Sequence, residues 1–115
     1  MVKYFIGVLV FIFFDFVTGT FKAVKQGKWN STVMREGLIN KATEIVAYAL
    51  MVSCQFYLPV VGVDISGVPI VQVTSLYLAI MEIGSSLENI GAVNPDVANA
   101  LKPIFSKLKE VNKHE

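Results

Sequence analysis

The sequence predicts an all-α membrane protein: three transmembrane helices, then a short amphipathic C-terminal helix, in a chain expected to be homo-oligomeric. Three observations predict it. Hydrophobic residues make up 54% of the 115-residue chain and charged residues only 17%, against roughly 25% charged in a soluble domain. The apolar residues gather into three runs, each near the ~20 residues a helix needs to cross a bilayer. The basic residues are segregated: apart from Lys3, every Lys and Arg lies between Lys22 and Lys41 or after Leu101. One domain is expected over residues 1–115, with spans at about 2–24, 40–61 and 68–90, a cytoplasmic basic loop at 25–39 and an amphipathic tail at 95–113.

The first run, Val2 to Val24, is interrupted by Asp15. Gly7, Phe11, Asp15, Thr18 and Lys22 recur at helical spacing, so they share one face, and Gly19 lies beside it. The other faces are Phe, Ile, Val and Leu, which suits a helix in lipid with one polar seam. The run continues past Phe14 without a small-residue cleavage site, so a span rather than a cleaved leader is expected.

Gln26 to Ser31 reads as a turn, with Ser31 able to cap the next helix. Trp29 sits among Lys22, Lys25, Lys28 and Arg35. That composition suits the membrane surface, where Trp anchors at the interface and basic residues meet headgroups; ordinary loop packing of Trp29 is the other reading. In the second run, Lys41, Glu44, Tyr48, Met51 and Gln55 form a polar or amphipathic stripe. Pro59, Gly62, Asp64, Ser66, Gly67 and Pro69 break the helix. Cys54, the single cysteine, is expected to be a packing residue with no disulfide partner in the chain.

The third run is the most amphipathic. Gln72, Ser75, Ala79, Glu82, Ser86 and Asn89 repeat at helical spacing, and Ile70, Val73, Leu76, Tyr77, Ile80, Ile83 and Leu87 fill the other faces. In a membrane the small and polar stripe faces protein or water. Gly91 is expected to end this helix, and Asn94-Pro95 to start the next as cap and first residue. In the tail, Val97, Leu101, Ile104, Phe105, Leu108 and Val111 make an apolar stripe opposite Lys102, Lys107, Lys109 and Lys113. Such a helix can lie on an anionic membrane surface, with Pro103 kinking or splitting it.

No nucleophile motif, phosphate loop, metal-ligand pair or internal repeat occurs, so neither an enzyme nor a cofactor or metal is expected. The single His114 is expected to be solvated. Basic residues that flank spans suit lipid better than nucleic acid, which is not expected as a partner. Asp15, Glu44 and Glu82, inside apolar runs, admit two readings. Local pairing would join Glu44 to Lys41 one turn away and Asp15 to Thr18. Alternatively, the polar seams make helix–helix contacts or line an aqueous lesion.

Asp15-Phe-Val-Thr-Gly19, Lys22-Ala23, Asn30-Ser31, Arg35-Glu36-Gly37 and Lys41 resemble the signature of the toxin-secretion and phage-lysis holin family. Glu82 and Ser86-Leu-Glu88-Asn89-Ile90 resemble its third span. Each motif is short, and their order and spacing carry the resemblance, which runs from about Asp15 into the tail. It implies a small phage protein of the host cytoplasmic membrane that oligomerises and opens lesions. Through these an endolysin, or in some relatives a toxin, leaves the cell without necessary direct contact. No catalytic residue carries over. The competing readings are a structural or regulatory membrane subunit that docks a partner through its polar helix faces, and a soluble helical interaction protein.

With three spans the basic loop and the basic tail fall on one side. The lysine asymmetry puts that side in the cytoplasm and the N-terminus and the Val61–Gly67 loop outside. Thiol labelling from outside intact cells should therefore reach a cysteine placed at Ser66 and miss one at Lys28. Labelling at Lys28 would reverse the topology.

Overall fold

The computed structural model describes residues 2–113, with side chains through Glu110. His114 and the side chains of Val111 and Lys113 lie outside the described residues. The chain forms α1 (Val2–Lys25), α2 (Ser31–Tyr57), a 3-10 turn (Leu58–Val61), α3 (Ile70–Val93) and α4 (Pro95–Lys113), with no strand among the described residues. α1, α2 with its 3-10 extension, and α3 are each long and apolar enough to cross a membrane.

Short polar motifs end and start these helices. At the end of α1, Lys28 N–H donates to Ala23 O and Gly27 N–H to Val24 O. This paired closure needs a left-handed residue, and Gly27 supplies it at φ 67°. Asn30, rather than Ser31, caps α2: its Oδ1 accepts from Val33 N–H at 2.9 Å, and Ser31 is already helical. α2 thus begins well before the expected span, since Asn30 can start a helix and nothing in Ser31–Asn40 is a strong breaker. The expected loop shrinks to Gln26–Asn30. Between the 3-10 turn and α3, the Ser66 backbone N–H and hydroxyl both donate to Asp64 Oδ1. Together they hold the exposed Asp64 carboxyl below the usual carboxylate range.

α3 is the hub, packing against α1, α2 and α4. Its upper half meets α1 and α2 through Val8, Ile12, Tyr48, Val71 and Leu78, with Ile45 and Val52 at the margin. Phe5 stacks on the Tyr48 ring at 5.9 Å. The outward surface is apolar: Ile6, Val10 and Phe13 on α1, Val46 and Leu50 on α2, and Val73 and Tyr77 on α3 are all exposed. The core is therefore small, and the surface is dressed for lipid.

Below this, α4 folds back along α3. Gly91 does not end α3, which runs on to Val93; it lets α4 approach, its missing Cβ lying 3.5 Å from the Ala98 methyl. The expected cap holds, with Asn94 Oδ1 accepting from Val97 N–H. Pro103 does not split α4; the carbonyl that loses its donor belongs to the exposed Asn99. Lys25 Nζ donates to Val93 O at 2.7 Å and ties the end of α1 to the end of α3.

Phe105 lies on Gly84, where an added Cβ would stand 2.8 Å from the ring. Gly84→Leu should displace that ring at a cost of about 1–3 kcal/mol and loosen α4, while Gly7→Leu, in open space, should not. Limited proteolysis of the tail in detergent checks it; equal cleavage of both variants would show that α4 is not held at Gly84.

Candidate functional site

One lysine gathers the charges of all three long helices. Lys41, on the inward stripe of α2, donates to Asp15 Oδ2 of α1 and, at 2.9 Å, to Glu82 Oε2 of α3. Glu44, one turn along α2, stands 3.6 Å from the same ammonium. The Asp15 and Glu82 side chains are only 6% and 3% exposed, and Lys41 is 18% exposed. Three carboxyl groups thus surround one ammonium. Taking such charges out of water costs several kcal/mol per ion, and only close geometry and further hydrogen bonds offset it.

Asn89 supplies some of those bonds. Its Nδ2 donates to Asp15 Oδ1 at 3.0 Å and to Thr18 Oγ1 at 3.2 Å. The approach is close because Gly19 has no side chain: a Cβ there would lie 3.5 Å from that nitrogen. Thr18 in turn donates back to Phe14 O at 2.8 Å. Nearer the N-terminal end of α1, Tyr48 Oη and Ser75 Oγ share a buried hydrogen bond of 2.6 Å. Gln55 Oε1 accepts from Val71 N–H at the start of α3. The interior is thus a ladder of polar contacts within an apolar shell.

Both sequence readings of the acidic residues find a counterpart. Glu44 does pair with Lys41, yet Asp15 reaches across to Lys41 and Asn89, while Thr18 bonds to backbone carbonyls. The stripe on α3 splits into parts. Ser75 and Glu82 are buried within the chain. Ala79 lines a groove against Gly7 and Phe11 of α1, with the exposed Gln72 at its upper end. Ser86 is half-buried and its Oγ has no partner, as is true of Glu44 Oε2. Ile80, assigned by spacing to another face, is buried beside α4. Lys28, Arg35, Lys102, Lys107 and Lys109 are exposed, as is Lys25, and Lys22 is half-buried. Trp29, 48% exposed, stands at the rim of a cleft that runs between α1 and α2 to Asp15 and Lys41.

Lys41 is the residue the sequence reading left out of the site. Its place on the Glu44–Tyr48–Gln55 stripe was the available signal. Among the described residues no group of His, Cys, Asp and Glu could hold a metal ion.

A model of the bacteriophage holin family matches residues 1–110 of the chain. No curated protein and no solved structure matches it.

Removing the ammonium leaves two buried carboxyl groups without their shared donor. Lys41→Met should cost about 3–5 kcal/mol, whereas Tyr48→Phe, which breaks one interhelical hydrogen bond, should cost about 0.6 kcal/mol. Unfolding in mixed micelles ranks the two. Equal losses would show that the charge cluster does not hold the helices together.

Proposed function

This chain belongs to the bacteriophage holin family, and on that premise we propose that copies of it assemble in the host cytoplasmic membrane and open lesions that let an endolysin, or a toxin, cross. The observation that carries the reading is the layout of polarity. All three long helices turn polar groups to one interior seam and apolar side chains outward. In lipid a polar face must be covered by protein or water. A single chain covers its seam with itself; a ring of chains can cover it with neighbours or with a water-filled lumen.

Asp15, Thr18, Gly19, Glu44, Gln72, Ser75, Ala79, Glu82, Ser86 and Asn89 supply the contact or lumen face in this reading. The unpartnered Glu44 Oε2 and Ser86 Oγ support it, because each gains a partner when water or a neighbouring helix reaches the seam. Hydrogen bonds such as Tyr48–Ser75 are cheap to exchange between helices, at about 0.6 kcal/mol each. The Lys41 cluster is costlier to open, so it sets how firmly the closed unit holds. Lys22, Lys25, Lys28, Trp29, Arg35, Lys102, Lys107 and Lys109 keep one end of the assembly at the cytoplasmic membrane surface, with the N-terminus outside. The endolysin needs passage rather than a docking site.

Asp15, Ser75 and Glu82 are buried within the single chain, so docking a partner through them, like assembly of copies, requires the seam to open. A soluble interaction protein is disfavoured by the exposed Phe, Val and Leu on all three long helices.

Inducing the chain together with an endolysin should give abrupt lysis, and inducing it alone should arrest growth without clearing the culture. Leucine at both Ala79 and Ser86 should delay lysis and remove crosslinked oligomers. Parental timing and oligomers in that variant would take the stripe out of the interface, and lysis by endolysin alone would remove the lesion reading.

A further inference from the structure

We infer that the part of this protein that sits in hydrocarbon is a slab only about 20 Å thick, bounded on the cytoplasmic side by the Asp15–Lys41–Glu82 layer, and that it fits a locally thinned bilayer. The inference rests on membrane insertion and not on lesion opening.

Three observations set the same lower boundary. The first is the charged layer, where one residue from each long helix meets at one level. The second is the start of α2: Arg35, Glu36 and Asn40 are helical and exposed, and exposed charges are not found facing lipid chains. The third is α4. Phe105 meets Gly84 within a turn of Glu82, and Ala98 meets Gly91, so α4 runs alongside the last third of α3. With Asp96, Lys102, Lys107 and Lys109 all exposed, α4 belongs at the headgroups or in water. The stretch of α3 it covers must be there as well.

What remains for hydrocarbon is short. At 1.5 Å per residue, Tyr4–Phe14, beyond the exposed Lys3, rises about 15 Å and Ile70–Met81 about 17 Å, against ~30 Å for a typical hydrocarbon core. α2 offers about 24 Å from Ile45 to Val61. Above the layer the exposed side chains are mostly apolar, Val10, Leu50 and Tyr77 among them, with Ser53 and Gln72 exposed as well. Below it exposed apolar residues continue, Phe21 and Ile104 among them, but they alternate with exposed lysines, the mixture of an interfacial surface. A bilayer meets a short belt by thinning around it or by gathering short belts together. The lower ends of α1, α2 and α3 then form, with α4, a body standing at the cytoplasmic face.

Depth measurement tests this. In a Cys54→Ala chain, Val10→Cys, Tyr77→Cys, Phe21→Cys and Glu88→Cys are spin-labelled singly and reconstituted into dioleoyl-phosphatidylcholine vesicles. Helix content by circular dichroism confirms that each folds. Labels at Phe21 and Glu88 should be several-fold more accessible to a water-soluble nickel chelate than labels at Val10 and Tyr77. The floated fraction should also be larger in dimyristoleoyl than in dierucoyl vesicles. Equal burial of all four labels, or better incorporation into the long-chain lipid, would overturn the thin slab while leaving the membrane reading intact. A chain that stays at the bottom of the gradient with both lipids would overturn both.

Discussion

The ammonium of Lys41 is the constraint on which the bundle depends. It brings a carboxyl group from α1 and one from α3 to the same level of α2. Without it, helix register would rest on a few apolar contacts around Tyr48 and Val71, and lipid chains compete with those contacts on nearly equal terms. A charge cluster out of water is a directional contact that lipid cannot imitate. It also holds more carboxyl groups than ammonium groups to face them. The same feature therefore fixes the helices and leaves them a reason to rearrange when water or another chain arrives.

Around that cluster the usual order of a globular protein is inverted. Large apolar side chains are exposed along all three long helices, and the best buried side chains include Asp15, Glu82 and Ser75. α3 makes this possible by turning a different side to each neighbour: Ser75 and Glu82 to the other spans, Asn89 to the seam near Gly19, and Gly84 and Gly91 to α4. Glycine serves there by its lack of bulk, letting an aromatic ring and a methyl group settle on the helix.

Much of this was legible in the residues. Helical periodicity placed Asp15, Thr18, Tyr48, Ser75, Glu82 and Asn89 on inward stripes, because a 3.6-residue repeat survives any packing arrangement. What periodicity cannot say is which stripe faces which. Periodicity puts Lys41 on the Glu44–Tyr48–Gln55 stripe, but charge counts along the sequence carry no depth, and only helix pairing brings its ammonium to Asp15 and Glu82. Gly91 was read as a terminator because glycine both ends helices and admits close neighbours. Ser31 and Asn30 are both good caps, and the extended backbone at Asn30 decides between them. The polar stripe on α3 reads as a face toward protein or water, and one chain already partners Ser75, Glu82 and Asn89 internally; intrachain and interchain cover look alike in one dimension.

The place of Trp29 has a practical consequence. It is the single tryptophan of the chain, half exposed in the turn between α1 and α2 and at the rim of the cleft that leads to Lys41 and Asp15. Indole emission shifts with the polarity around it, so the unmodified chain carries an intrinsic optical reporter at the entrance to its own charge cluster. Insertion, docking of the neighbouring helix ends and arrival of water in the cleft each alter the same fluorophore, and all can be followed in real time without attaching anything to the molecule.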